Sequence, residues 1–194
     1  MKKNIKGVFN AFSKIVWLYV IVLILIVVGF CVYRVCITKA YPLKYKNEIC
    51  YYADNYDLDR ALVLSVVKVE SGFDKNAVSG AGAIGLMQIT EKTGEYIASK
   101  LGVLDYDLTN VKDNLNFGCF YLKYLLTKFS DIQTALIAYN AGEGRVVKWL
   151  KDSKFSDDGI RLKTIPYKET RDYITKINKN FSKYKELYKN FLDK

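Results

Sequence analysis

A run of nineteen residues without a charged side chain, from Ile15 to Tyr33, constrains this chain more than any other feature. A helix of that length rises roughly 28 Å at about 1.5 Å per residue, close to the ~30 Å thickness of the hydrocarbon core of a bilayer. A chain of 194 residues has room for only one ordinary domain besides, which could not also cover this segment. We therefore predict an uncleaved transmembrane helix over residues 15–35, preceded by residues 1–14.

A cleaved signal peptide is the alternative interpretation of this segment. The apolar core of a signal peptide usually has about 7–15 residues, which is shorter than the run observed. Residues 38–40, Thr-Lys-Ala, are also a poor small-x-small cleavage site. Four lysines precede the segment, but Arg34 and three lysines within 39–46 follow it. The charges alone therefore do not decide the orientation of the helix in the membrane.

Composition excludes several classes of function. The chain has no histidine, which removes Ser-His-Asp and Cys-His nucleophile pairs, His-based metal sites and imidazole acid–base catalysis. The net charge is +10, but residues 1–40 contain six Lys or Arg and no acid. Residues 41–194 therefore carry 24 basic against 20 acidic side chains, an excess of only four. With no basic stripe, this excess argues against a nucleic-acid-binding protein.

The four cysteines do not form a metal or disulfide framework, because no CxxC spacing is present. Cys31 and Cys36 lie in or beside the apolar segment, whereas Cys50 and Cys119 lie in the domain. The favoured interpretation of the latter pair is two buried free thiols. A Cys50–Cys119 bridge, formed outside the cytoplasm, is the alternative.

Beyond the apolar segment the sequence predicts a mainly α domain. Residues 36–49 are expected to link the membrane helix to the domain, and Asp59 to cap a helix that runs to Glu70. No alternation typical of a β-strand is visible. The spacing of apolar residues predicts four further helices: 91–100, 113–129, 131–141 and 144–150.

The end of the chain predicts an amphipathic helix, with Pro166 placed like a first helical residue. Apolar side chains then recur at spacings of three and four: Ile174, Ile177, Phe181, Tyr184, Tyr188 and Phe191. Residues 174–194 are interpreted as a helix that packs on its own domain. Because this segment has six lysines against two acids, contact with a membrane surface is the alternative.

The segment from Gly80 to Gly85 matches the GxGxxG pattern letter for letter. The dinucleotide-binding fingerprint, however, requires a buried strand before the glycines and a βαβ unit around them. Residues 73–79 do not form such a strand, and 72–86 are expected to be a loop. The glycines are therefore expected to let the backbone approach another group closely.

Glu70 is unusual because a carboxyl group ends a strongly apolar helix. Beside the valines of that helix it would be partly desolvated, which raises its pKa toward neutrality. A carboxylic acid that is protonated near pH 7 can donate a proton to the leaving oxygen of a glycosidic bond. An ordinary solvent-exposed glutamate at a helix end is the alternative.

Four blocks of sequence surround this residue and follow it: "ESGF" at 70–73, "GAGAIGLMQIT" at 80–90, "AYNAGEGRV" at 138–146 and "IPYKETRDY" at 165–173. In this order they resemble the catalytic domain of the soluble-type lytic transglycosylases (SLT), a branch of the goose-lysozyme-like family. The resemblance covers about residues 50–173. It implies a mainly α fold, namely a lysozyme-like (goose-type) helical domain preceded by a single transmembrane helix.

The resemblance also implies roles for single residues. Glu70 is implied to be the only catalytic acid and base, and Glu169 a second acid that shapes and polarises the cleft. No metal and no cofactor is implied. The substrate-binding positions implied by the motifs are Ser71, Ser79, Gly85, Met87, Gln88, Tyr139, Asn140 and Glu169, with Leu86 in the same loop as Met87.

The activity that the resemblance implies is cleavage of the MurNAc-β-1,4-GlcNAc bond of peptidoglycan without water, which leaves a 1,6-anhydro-MurNAc end. Two alternatives stay open at this point. One is a goose-type lysozyme, a hydrolase of the same fold. The other is a glycan-binding scaffold without catalytic activity.

The implied substrate also implies a topology. Because peptidoglycan lies outside the cytoplasmic membrane, the domain is expected on the outer face of a single-pass membrane protein, with residues 1–14 in the cytoplasm. The expected partners are the glycan strand and, through residues 15–35, the membrane, but no nucleic acid. The process served stays open between wall remodelling, spore or septum maturation, and assembly of an envelope-spanning secretion or conjugation machine with envelope proteins as partners.

Overall fold

The computed structural model describes residues 2–192, with the side chains of residues 14–190 and Leu192. Predictions that involve Met1, residues 193–194 or the side chain of Phe191 lie outside the described residues. The chain divides into two units, Met1–Pro42 and Leu43–Lys194. The elements follow in this order: α1 Lys2–Ala40, α2 Lys46–Asn55, α3 Arg60–Ser71, β1 Ala83–Ile84, β2 Ile89–Thr90, α4 Glu91–Leu101, α5 Val111–Lys128, α6 Ile132–Ala141, α7 Glu143–Leu150, α8 Lys168–Leu187 and α9 Lys189–Leu192.

The first unit contains helix α1. The segment Lys14–Ala40 is long and apolar enough to cross a membrane, judged by length and composition. None of its most apolar stretch is buried by the rest of the chain that the structure describes. Bulky side chains such as Trp17, Leu23 and Phe30 are exposed there. The helix predicted over residues 15–35 is therefore present, and it continues to Ala40.

Helix α3 lies at the centre of the second unit, where it packs along α8 and against α2. Every residue from Ala61 to Val67 is buried, so this helix is covered on all sides. A helix that is apolar all round is typical of such a position, and packing outweighs the weaker helix propensity of its valines. Burying one valine side chain completely stabilises the fold by about 1.5–3 kcal/mol.

Both ends of α3 are set by local chemistry. The side chain of Asp59 accepts a hydrogen bond from the Ala61 N–H at 2.8 Å, which confirms the predicted N-cap. Gly72 adopts a left-handed conformation with φ of 60° and donates its N–H to the Lys68 carbonyl at 3.1 Å. The helix therefore stops directly after Glu70 and Ser71.

Helix α5 supports the other half of this unit, because it contacts α2, α4, α6 and strand β2. A cluster of buried side chains joins α4, α5 and the strand region: Ile89, Ile97, Ala98, Leu108 and Phe117. Side-chain caps start three more of the helices, with Thr90 before α4, Asn110 before α5 and Asp131 before α6. The mainly α fold is confirmed, and the helices predicted in this region agree within two residues at each end.

The sequence showed no strand pattern, but the structure contains one short β-hairpin. Strands β1 and β2 pair antiparallel, with Ala83 opposite Thr90 and Ile84 opposite Ile89. Each strand has only two residues, which is too short for an alternating pattern to show in the sequence. The GxGxxG segment contains strand β1, and the next helix begins only at Glu91, so the strand–turn–helix geometry of a dinucleotide site is absent from this part of the structure.

Three predicted boundaries also differ from the structure. Helix α1 extends to Ala40 and α2 begins at Lys46, so most of the proposed linker 36–49 is helical. Helix α8 begins at Lys168 rather than at Pro166, because Tyr167 has an extended backbone. This helix runs unbroken through the predicted boundary at 173/174.

The amphipathic stripe of α8 faces the domain. Ile174, Ile177 and Tyr184 are buried, and α8 packs on α3 and α6. This agrees with the interpretation of a helix that packs on its own domain. Cys50 and Cys119 do not form a disulfide with each other. Cys119 is buried as the favoured interpretation expected, whereas Cys50 is only half-buried.

Candidate active site

An open cleft with a volume of about 450 Å³ brings together residues from four separate parts of the chain. Helix α3 contributes one end, the loop between α3 and α4 contributes one wall, and α6 and α8 contribute the other. The lining residues are Glu70, Ser79, Gly80, Ala81, Ala83, Gln88, Thr90, Tyr139, Asn140 and Glu169. Each of the four sequence blocks therefore supplies at least one lining residue.

Glu70 lies in the last turn of α3, at the point where the buried helix reaches the cleft. Its side chain keeps some contact with solvent, but most of its surroundings are protein. Burial penalises the charged form and raises the pKa of Glu70 from 4.5 to about 7. A pKa near the operating pH suits a group that first donates a proton and then accepts one.

Two residues of α8 adjust this value in opposite directions. Glu169, in the first turn of α8, carries a like charge that raises the pKa of Glu70 further. The Tyr173 hydroxyl stabilises the carboxylate and lowers the pKa of Glu70. Burial is the largest of the three effects, so the net pKa shift of Glu70 is upward.

Tyr173 is a residue of this site that the sequence analysis did not single out. Its side chain is buried, and its hydroxyl does not meet the full geometry of a hydrogen bond to any described residue. The phenol therefore lies close enough to Glu70 to stabilise the carboxylate, but without a well-aligned hydrogen bond to it. The signal in the sequence was its position four residues after Glu169, which places both on the same face of a helix.

Gln88 and Ser79 lie on the loop wall. Gln88 has a φ of 50°, which is uncommon for a residue other than glycine and therefore carries backbone strain. Its side-chain amide donates to the Gly85 carbonyl at 2.9 Å and to the Ala77 carbonyl at 3.1 Å. The Ser79 hydroxyl accepts from the Ala83 N–H at 3.0 Å. Hydrogen bonds within the loop thus hold both side chains at the cleft.

Tyr139 and Asn140 come from the C-terminal end of α6. The Tyr139 hydroxyl donates to the Met87 carbonyl at 2.8 Å, so this side chain links α6 to the loop wall. Burial, with the nearby Glu70 charge, raises the pKa of Tyr139 well above its usual value, and the phenol stays protonated. Tyr139 can therefore act as a hydrogen-bond donor at neutral pH.

Three predicted substrate-binding residues lie outside the lining of the cleft. The Ser71 hydroxyl donates to the Val67 and Leu86 carbonyls at 3.0 and 2.9 Å, which joins α3 to the loop. Met87 is fully buried, as is Leu86 beside it. Gly85 has a φ of 79° and is packed against Asn114. Ser71, Gly85 and Met87 contact protein rather than the cleft, so they support its wall without lining it.

A second cavity of about 250 Å³ continues from the cleft. It shares Gln88, Thr90, Tyr139 and Asn140 with the cleft, and its own lining is Ile89, Thr93, Tyr121, Ala141 and Gly142. The shared residues show that the two cavities adjoin each other. Within residues 2–192, no group of three or more Cys, Asp or Glu side chains is placed to hold a metal ion.

Comparisons with known proteins agree with this geometry. Residues 48–161, more than half of the chain, match the family described as Transglycosylase SLT domain. The soluble lytic murein transglycosylase of Salmonella typhimurium is 31% identical over 160 residues, which are 79% of this chain and 24% of that protein. The membrane-bound lytic murein transglycosylase C of Glaesserella parasuis is 30% identical over 158 residues, 68% of this chain and 43% of that protein.

A solved structure has the same fold. The lytic transglycosylase Slt of Pseudomonas aeruginosa, solved as an inactive mutant, superposes with a TM-score of 0.67 and 30% identity over 75% of this chain and 24% of that one. This chain therefore spans less than half of the length of the curated relatives that it matches. The match over residues 48–161 shows that the chain belongs to the transglycosylase SLT domain family.

Proposed function

We propose that this protein is a membrane-associated lytic transglycosylase that cleaves the glycan strands of peptidoglycan. The observation that carries the proposal is Glu70, a carboxyl group with a pKa of about 7 that lines an open cleft of mostly uncharged side chains. The relatives named above are murein transglycosylases, and the solved relative is described as inactive with a glutamate replaced by glutamine. Among the cleft-lining residues, the other acid is Glu169.

In the proposed mechanism one carboxyl group acts twice. Protonated Glu70 donates its proton to the glycosidic oxygen between MurNAc and GlcNAc, and the C1–O bond breaks with an oxocarbenium-like transition state. The resulting carboxylate then accepts a proton from the C6 hydroxyl of the same MurNAc as that oxygen bonds to C1. The product is a 1,6-anhydro-MurNAc end, no water is consumed, and Glu70 regains its proton.

The other lining residues serve this step in distinct ways. The negative charge of Glu169 keeps Glu70 protonated and stabilises positive charge that develops on the sugar. Tyr139, protonated and held at the Met87 carbonyl, joins the α6 side of the cleft to the loop. Gln88, Ser79 and Asn140 offer amide and hydroxyl groups to the hydroxyl and N-acetyl groups of the sugars. These are the polar groups that a neutral glycan requires.

The same proposal places the protein in the cytoplasmic membrane. Residues 14–40 meet the length and composition of one membrane span, and a membrane-bound transglycosylase is among the relatives. With peptidoglycan as the substrate, the domain lies on the outer face and residues 1–14 in the cytoplasm.

The first prediction concerns the product. Full-length protein, purified in detergent and incubated with peptidoglycan, should release muropeptides that are one water lighter than hydrolytic products and lack a reducing end, as mass spectrometry will show. Glu70→Gln should lower the rate by roughly 10²–10⁴-fold, because the proton donor is lost. Products with a free reducing end would instead make the protein a hydrolase, and binding without release would make it a scaffold.

The second prediction concerns the pH dependence of the rate. Because protonated Glu70 starts the reaction, kcat/KM should fall as the pH rises through about 7. Glu169→Gln removes a like charge, lowers the pKa of Glu70 and should move this fall to lower pH. A profile measured from pH 4 to 9 will show the shift. An unchanged midpoint would contradict the proposed electrostatic role of Glu169.

The third prediction uses the stability of the fold. Between pH 4.5 and about 7 the unfolded chain releases the Glu70 proton while the folded chain retains it, so stability falls as the pH rises. The loss is on the order of 3 kcal/mol, and it is complete above pH 7. Glu70→Gln should therefore be more stable than the wild type at pH 8 but not at pH 4 in urea unfolding.

The matched control is Glu186→Gln, which alters an exposed carboxyl group on α8. This variant should follow the wild-type stability at both pH values, because its carboxyl group is exposed and its surface ion pair with Lys183 contributes little to stability. Equal behaviour of the two variants would show that Glu70 is not buried as described.

The fourth prediction concerns the membrane. The full-length protein should stay in the membrane pellet after high-salt and alkaline carbonate washes, because a spanning helix is held by apolar burial. In a cysteine-free background, Leu104→Cys, at a fully exposed position, should react with an impermeant maleimide in intact spheroplasts. Asn4→Cys should react only after lysis. Release by the washes, or the reverse labelling, would contradict the proposed topology.

A further inference from the structure

The loop that lines the cleft with Gln88 is held from behind by helix α5. We propose that Asn114 is a positioning residue for this loop, residues 83–88. We also propose that Gly118 leaves the space on α5 in which the loop packs. Neither residue lines the cleft, so both act on the substrate through the loop. The inference rests on the proposed function, since it assigns the loop to glycan binding.

Asn114 is almost completely buried, with 1% of its surface exposed. Its side-chain amide donates to the Ile84 carbonyl and to the Leu108 carbonyl, each at 2.8 Å. Its side-chain oxygen accepts from the Met87 N–H at 2.7 Å. One side chain therefore satisfies three backbone groups, two of them in the loop, that would otherwise be buried without a partner.

The contact is so close that it dictates a glycine in the loop. A β-carbon at Gly85 would lie 2.2 Å from the Asn114 Nδ2 atom and 2.4 Å from the Leu108 carbonyl oxygen. The φ of 79° at Gly85 is also one that other residues rarely adopt. The glycine thus lets the turn reach the Asn114 amide, which explains one glycine of the GxGxxG segment.

Gly118 acts on the same loop one helical turn further along α5. Positions four apart lie on one face of a helix, so Asn114 and Gly118 face the loop together. A β-carbon at Gly118 would lie 2.2 Å from the Met87 Sδ atom and 2.5 Å from its Cβ. Met87 therefore packs directly on the backbone of α5, while its N–H is held by Asn114.

A displacement of Met87 would move two cleft-lining residues, Tyr139 and Gln88. Its carbonyl accepts the hydrogen bond of Tyr139, and the next residue is Gln88, with its strained backbone at φ of 50°. Strained conformations persist only where the surrounding contacts hold them. The contacts of Asn114 with the loop are therefore what keep Gln88 and Tyr139 in place for a glycan, whereas Glu70 is carried by α3.

The test is glycan binding in full-length protein that carries Glu70→Gln, so that the bound sugar is not consumed. Asn114→Leu keeps the approximate volume and removes the three hydrogen bonds. The dissociation constant for a soluble MurNAc–GlcNAc tetrasaccharide, measured by calorimetry, should rise at least about tenfold, because the wall of the site is no longer held. Hydrogen exchange should show that the Met87 N–H loses its protection.

The matched control is Thr134→Val in the same background. Thr134 is also fully buried, and its hydroxyl bonds to the Asp131 carboxylate at 2.9 Å and the Ile160 carbonyl at 3.0 Å, away from the cleft lining. This variant should lower the melting temperature while the dissociation constant stays within about twofold, since the loop is untouched. An equal loss of affinity in both variants would show a general effect of destabilisation and overturn the proposal.

Other outcomes are equally decisive. A folded Asn114→Leu variant with unchanged affinity overturns the proposal. If that variant does not fold, Gly118→Ala, which keeps Asn114 and displaces Met87, should show the loss of affinity, and its absence overturns the proposal. If the Glu70→Gln parent binds no tetrasaccharide, the proposed function is contradicted, whereas exchange of the Met87 N–H still decides whether Asn114 holds the loop.

Discussion

The site depends on the burial of one carboxyl group at the end of an apolar helix. Helix α3 is covered on all sides by α2, α8 and the remaining core, so the carboxyl group that follows its valines is taken largely out of water. The resulting rise in the pKa of Glu70 to about 7 costs stability at neutral pH. Gly72 ends the helix directly afterwards, which leaves Glu70 at the edge of the cleft rather than inside the core.

The rest of the domain holds two walls around that group. The Ser71 hydroxyl ties the end of α3 to the loop at the Leu86 carbonyl, and the Tyr139 hydroxyl ties α6 to the same loop at the Met87 carbonyl. Asn114 of α5 holds the loop from its far side. Each link is a polar side chain bonded to a backbone carbonyl or N–H that is partly or fully buried, where the loss of one partner is costly. These hydrogen bonds therefore fix the loop relative to α3, α5 and α6.

Sequence patterns predicted the helices well because their signals are local. The N-cap at Asp59 and the Gly72 end of α3 need only neighbouring residues, and α8 shows a clear stripe. The hairpin of β1 and β2 escaped prediction because two-residue strands have no periodicity. Ser71, Gly85 and Met87 were assigned to substrate binding from their motifs, but motifs do not tell whether a side chain faces the cleft or the protein behind it.

By itself, the sequence determined a mainly α domain that follows an apolar helix in the chain and the place where α3 ends. It also determined a family whose motifs point to Glu70. These properties follow from composition, spacing and caps, which act over a few residues. Only the tertiary structure decided how far Glu70 is desolvated, that Tyr173 lies beside it, and that Asn114 supports the loop from α5. These properties join residues that are 27 to about 100 positions apart in the chain, and burial and hydrogen bonding at such separations exist only once the helices pack.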